Sequence, residues 1–159
     1  MTTRTTRQKD ACDLLDADHK NVKALFNEYE GLTASKAKSV LAKKQEVASQ
    51  ICQELTIHAT IEEEIFYPVV RAKIKDQDLL NEAEVEHAGA RDLIAQIEAS
   101  DPSDPMFDAK VTVLGEYIDH HVKEERTEMF PRARAARGLD LVALREQLEA
   151  RKEELMAAA

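Results

Sequence analysis

The chain has 159 residues, a formal net charge of −9 and 33% charged residues, with only four Gly, four Pro and no Trp. That length suits one domain with a sizeable core, and that composition suits a mostly helical, water-soluble chain. No apolar run approaches the roughly 20 residues of a membrane span, and no apolar stretch follows Arg4, Arg7 and Lys9 to make a secretory signal. The acidity makes nucleic acid and anionic membranes poor partners, and a cytoplasmic location is expected. Arg132, Arg134 and Arg137 form one short basic cluster, read as a solvated helix end.

In chain order, residues 1–9 are polar and aperiodic, and are expected to form a flexible tail. A first helix is predicted from Asp10 to Glu30 on the stripe Cys12, Leu15, Val22, Leu25, Phe26, with Gly31 as a left-handed stop. A second is predicted from near Ser35 to Ala72 on Leu41, Val47, Ile51, Leu55, Ile65 and Val69. Pro68 removes a backbone donor within it and should bend or loosen its last turns. A third runs from the loop at 76–78 to Ala99 on Leu80, Ala83, Ala90, Ile94 and Ile97. The breaker at 100–105 precedes a fourth, with Asp104 as N-cap and Pro105 at its first position. It carries Phe107, Val111, Leu114 and Ile118, and reaches Ala136. Gly138 ends it, and Asp140 caps a fifth helix ending near Met156. Four long helices with short loops predict an all-α fold, an antiparallel up-down four-helix bundle over residues 10–137. Residues 138–159 add a C-terminal helical appendage, which lies across the bundle or mediates association with another chain. Cys12 and Cys52 lie far apart without CxxC spacing, and are expected to be partly buried free thiols.

One motif occurs twice. His58-Ala-Thr-Ile-Glu62 continues to Tyr67-Pro68, and His121-Val-Lys-Glu-Glu125 continues to Phe130-Pro131, with identical spacing. A lone helical histidine precedes each copy, His19 the first and His87 the second, so four of five histidines share one pattern. Residues four apart share a helix face. His58 with Glu62, and His121 with Glu125, therefore face one way, in line with Ile51 and Leu55 or with Leu114 and Ile118. His19 falls in line with Leu15 and Val22, and His87 with Ala83 and Ala90. Six ionisable groups thus point at the core from four helices.

A lone helical histidine is ordinarily a surface or hydrogen-bonded core residue, and a single HxxxE is common on exposed helices. Two aligned copies on apolar stripes reverse that reading. Buried carboxylates among imidazoles make sense when a cation compensates them. Four histidines and two glutamates exceed a tetrahedral zinc site and suit two ions bridged by carboxylates. Nitrogen and oxygen donors with open positions favour iron. His120 is one residue out of phase, so it is placed facing solvent or behind the site. Glu63, Glu64 and Glu124 are read as a solvated face.

At these residues the chain resembles the hemerythrin-like family, the HHE cation-binding domain, over roughly Asp10 to Ala136. Myohemerythrin is itself a four-helix bundle, so the fold expectation is not independent of the resemblance. The resemblance implies a non-haem di-iron centre, oxo- or hydroxo-bridged, held by His19, His58, Glu62, His87, His121 and Glu125, with the glutamates bridging. Oxygen carriers of the family have a further histidine one turn after the third helix's ligand, where this chain has Arg91. A bacterial subgroup has an iron-ligating tyrosine before the motif proline, where this chain has Tyr67; core packing is the alternative for that ring. The implied partner is a small oxidant: oxygen, peroxide or nitric oxide, bound or turned over at iron. Sensing or buffering of iron and oxygen without turnover is the alternative, and a purely structural metal site is the third.

Overall fold

The structure, a computed structural model, describes residues 7–159. Part of the expected tail, residues 1–6, lies outside them. Helix α1 spans Ala11–Thr33 and opens on a capping box. The Asp10 side chain accepts from the Asp13 amide at 3.0 Å, and the Asp13 side chain from the Asp10 amide at 2.8 Å. Gly31 does not stop the helix; among the described residues only Gly138 has positive φ. The helix continues because Leu32 still packs on the core. Helix α2 spans Val40–Ile61, starting later than predicted. Residues 34–39 are all exposed, so a helix there would gain no burial to offset its ordering.

Two π-helical turns follow the repeated motif. Glu62–Phe66 separates α2 from α3, Tyr67–Arg71. Glu125–Met129 likewise separates α5, Phe107–Glu124, from α6, Phe130–Ala135. In each, the amide after the turn donates five residues back, Tyr67 to Glu62 and Phe130 to Glu125. Proline one residue later has no amide to donate, and a wider turn relieves its clash with the preceding carbonyl. The extra residue shifts the helix phase by one position. Ile65 and Val69, expected in the core, are therefore only half-buried, while Phe66, Tyr67 and Val70 are buried.

Helix α4 spans Gln77–Glu98. Asp104 does not cap α5 as expected. Its side chain accepts from the Met106 amide at 2.8 Å and its carbonyl from the Phe107 amide at 3.0 Å, which makes a tight turn. The helix proper starts at Phe107, which is buried beside Tyr29. Asp140 caps α7, Leu141–Ala158, through the Ala143 amide at 3.0 Å.

Helices α1 and α4 each pack against both α2 and α5, so α1 faces α4 and α2 faces α5 across the diagonals of an antiparallel four-helix bundle. Helix α7 lies on α1, α2 and the first π turn, burying Leu141, Leu144 and Leu148. The apolar core comes in two blocks. One, with Leu15, Ile61, Phe66 and Leu80, lies toward α7; the other holds Val22, Ile51, Leu55, Ile94 and Leu114. Between them along each helix falls a polar layer. Cys12 and Cys52 are free and buried, which pushes both thiols up to about 12. No described helix is long and apolar enough to cross a membrane.

Candidate metal centre

The polar layer is made by His19 from α1, His58 and Glu62 from α2 and its π turn, His87 from α4, and His121 and Glu125 from α5 and its π turn. All six are buried, Glu62 at 0% and Glu125 at 1% exposure. The imidazoles fall into two pairs. His19 Nε2 lies 3.1 Å from His58 Nε2, and His87 Nε2 lies 3.2 Å from His121 Nε2. The carboxylates span the pairs. Glu62 Oε1 is 2.9 Å from His58 Nε2 and 3.4 Å from His87 Nε2; Glu125 Oε1 is 2.6 Å from His121 Nε2 and 3.7 Å from His19 Nε2. Each half of the sequence thus supplies one imidazole pair and one carboxylate that reaches the other pair. Two sets, His19–His58–Glu125 and Glu62–His87–His121, each bring three donor atoms within 4.8 Å of one another.

These short separations are not hydrogen bonds that satisfy the carboxylates. Both oxygens of Glu62 and of Glu125 are buried without a hydrogen-bond partner. Leaving such oxygens unpaired costs several kcal/mol per ionised group, by the usual order of magnitude. The electrostatics show what the layer lacks. Burial and the neighbouring Glu62 push Glu125 up to about 8. Burial opposes charge on Glu62 and on His58, yet their mutual attraction outweighs it, taking Glu62 well below the carboxylate range and His58 up to about 10. Burial, then the charge on His58, pushes His19 down to about 3. The layer needs positive charge. Protons supply it on some imidazoles, and divalent ions would supply it to the whole set. The donor set therefore fits metal: four Nε2 atoms and two carboxylates converge, with no competing cationic side chain among them.

Tyr67 belongs to the second pair. Its hydroxyl lies 3.2 Å from both His87 Nε2 and His121 Nε2. Burial, then Glu125 and Glu62, holds its phenol well above the ordinary value. The corresponding Phe130 instead stacks on His19, 6.2 Å between centroids and 4° between planes. The two-fold repeat is broken at this position.

An outer ring of acids, absent from the sequence reading, backs the histidines at Nδ1. Asp18 faces His58 at 3.1 Å, Glu63 faces His87 at 3.4 Å, Glu86 faces His121 at 3.6 Å and Asp16 faces His19 at 3.9 Å. A carboxylate hydrogen-bonded at Nδ1, as Asp18 is to His58, fixes the tautomer and leaves Nε2 free for a metal. Three of the four meet a base: Asp18 meets Lys152, Glu63 meets Arg91 and Asp16 meets Arg126. Burial opposes charge on Asp18, but His58 and Lys152 hold it below the usual range. Glu63, expected on a solvated face, thus has a place behind His87, and Arg91 braces it. Glu64 pairs outward with Arg151. His120 is 68% exposed and pairs with Glu124 at 3.2 Å. A usable signal was present: an acid immediately precedes the lone histidine in both halves, Asp18-His19 and Glu86-His87, and each serves the histidine of the next helix. The Arg132 and Arg134 side chains are not free. Arg132 pairs with Asp76 and Glu128, and Arg134 with Asp10 and Asp13.

A cavity of about 30 Å³ adjoins the layer, lined by the histidines and by Val22, Leu55, Ala90, Ile94, Tyr117 and Ile118. That is room for one water-sized guest.

A four-helix bundle with this inward donor layer has the form of a helical cation-binding domain. The hemerythrin HHE cation-binding domain family matches residues 10–133, and the chain belongs to that family. In fold it is similar to a hemerythrin HHE cation-binding domain-containing protein from Mycobacterium kansasii, with a TM-score of 0.76, 22% identity, and coverage of 95% of this chain and 90% of that one. It is 34% identical over 118 residues to a DNA nickase of Nostoc sp., covering 74% of this chain. The chain spans only 32% of that relative's length.

Proposed function

We propose that this chain is a non-haem di-iron protein that binds or turns over a small oxidant (oxygen, peroxide or nitric oxide) at the layer between its two core blocks. The observation that carries the reading is the pair of buried, unpartnered carboxylates, each reaching from one imidazole pair to the other. His19 and His58 would hold one iron, His87 and His121 the other, with Glu62 and Glu125 shared. Bound iron would supply electron transfer and Lewis acidity to the oxidant. The protein's own part is to position and exclude. The two apolar blocks keep bulk water out. The cavity of about 30 Å³ beside the layer is of a size to suit a diatomic guest. The Tyr67 hydroxyl stands at the second pair, where it can serve as a further ligand or hold a proton for the guest.

The nicking activity in the relative's name belongs to a protein more than twice as long. For this chain we propose no nucleic-acid contact. Its net charge is −9, and the arginines of its basic cluster at 132 and 134 are paired with acids. Iron buffering or sensing without turnover is a second reading, favoured by the contact of Lys152 on α7 with Asp18, the acid behind His58. A cytoplasmic location remains part of the proposal.

The test is metal analysis of protein from iron-replete cells, followed by mixing the reduced protein with peroxide and with nitric oxide. About two irons per chain and a visible spectrum altered by either reagent are expected. One zinc with no iron would overturn the di-iron reading; iron with an unresponsive spectrum would favour buffering.

A further inference from the structure

Among the four imidazoles only His58 makes an Nδ1 hydrogen bond to its acid; Nδ1 of His19, of His87 and of His121 is buried and makes none. His58 Nδ1 lies 3.1 Å from Asp18 Oδ2, and Asp18 Oδ1 accepts from Lys152 Nζ at 2.5 Å. Asp18 is buried, so its two oxygens are used up by the imidazole and the ammonium. The equivalent acid of the second half, Glu86, stands farther from its histidine and, among the described residues, meets no lysine or arginine within ion-pair range, only the surface pair His120 and Glu124 beyond it. Lys152 lies on α7, outside residues 10–133 that the family covers. Its neighbour Arg151 holds Glu64, in the π turn that carries Glu62, at 2.8 Å.

We propose that Lys152 is a positioning residue of the metal centre, acting through Asp18 to fix the tautomer and orientation of His58 and so to set the affinity of the first imidazole pair alone. The inference rests on the metal reading above. A buried carboxylate held on one oxygen by an ammonium is fixed in direction, and an imidazole donating Nδ1–H to its other oxygen is locked with Nε2 facing the layer. Helix α7 is then a working part of one half of the centre, and the two metal positions are unequal by construction.

The experiment titrates metal-free protein with Co(II) against a competing chelator, in wild type, Lys152→Met, Lys152→Arg and Arg151→Gln. In parallel, the His58 Nδ1–H resonance is followed by nitrogen-15 NMR. Wild type should bind two equivalents. Lys152→Met should weaken one of them by about 10-fold or more, as loss of such an outer partner does, leaving the other within about 2-fold. Lys152→Arg should restore it, and Arg151→Gln, which loosens the same helix without touching Asp18, should not imitate the loss. The Nδ1–H signal should exchange slowly in wild type and fast in Lys152→Met. Equal affinities in Lys152→Met and wild type, equal weakening of both equivalents, or the same loss in Arg151→Gln would overturn the proposal. Absence of Co(II) binding in wild type would instead overturn the metal reading, and the exchange of the His58 proton would still decide the relay.

Discussion

At the scale of single residues, the decisive groups are those whose burial makes no sense without a partner. Glu125 is buried beside Glu62, and burial with that neighbour drives it up to about 8. A carboxyl pushed up in this way favours its neutral form, which glutamine imitates. Glu125→Gln should therefore change metal-free stability by less than about 1.5 kcal/mol, as volume-conserving swaps do, yet remove the proposed two-metal centre. Metal analysis with chemical denaturation reads both effects. A large loss of metal-free stability with metal retained would show the glutamate to be structural. His120→Ala, on an exposed side chain, should leave the metal in place. Tyr67→Phe should abolish any phenolate-to-iron absorption band while iron content persists, because its hydroxyl reaches His87 and His121 but no backbone group. An unchanged spectrum would show that the ring only packs. The inward face of these residues was legible in the sequence because one helical period aligns His with Glu and with Leu. Of the acids behind them, Asp18 and Glu86 are marked only by preceding a lone histidine, and Asp16 and Glu63 sit off that face, where charge ordinarily means solvent.

At the scale of elements, the four long helices followed from apolar spacing, but their ends and the π turns did not. A π turn inserts one residue into the stripe, and near Pro68 the sequence offers apolar residues in both registers, Ile65 with Val69 and Phe66 with Val70. Periodicity cannot choose between them; packing of Phe66 against Phe130 and the missing proline amide do. The start of α1 shows an end that is fixed electrostatically. Asp13 belongs to the capping box and pairs with Arg7 and with Arg134 of α6, each near 3 Å. Burial opposes its charge, but Arg7, the Asp10 amide and Arg134 outweigh it and lower Asp13 to about 2, against an ordinary 3.8. A depressed carboxyl stabilises the folded state above its ordinary value, and that contribution is lost as pH falls through the folded one. Part of the stability should therefore disappear between about pH 4 and pH 2, and Asp13→Asn should flatten that limb of the stability–pH curve. A curve identical to wild type below pH 4 would show that the contact between α6 and the start of α1 does not depend on this charge.

At the scale of the whole molecule, a layer of six ionisable side chains divides what would otherwise be one continuous apolar core. Two apolar blocks with a polar seam are less stable than a single block of the same size, because the seam forfeits burial and adds desolvation. The fold therefore holds its stability partly in the ligand, and ligand that binds only the native state stabilises by mass action. Free metal at about 100 times its dissociation constant should add about 2.7 kcal/mol for each site filled. For a chain of this length that corresponds to a rise in melting temperature of about 5–10 °C. Chelation should reverse the rise, and it should vanish in a Glu62→Gln, Glu125→Gln double variant, where the seam remains but the shared donors are gone. Calorimetric scans at several free Fe(II) concentrations, held anaerobic, measure the shift directly. A melting temperature independent of metal in wild type would mean that the seam is stabilised by its own protons and hydrogen bonds. The same shift in the double variant would place the stabilising ion elsewhere on the molecule, outside the layer that the four helices build.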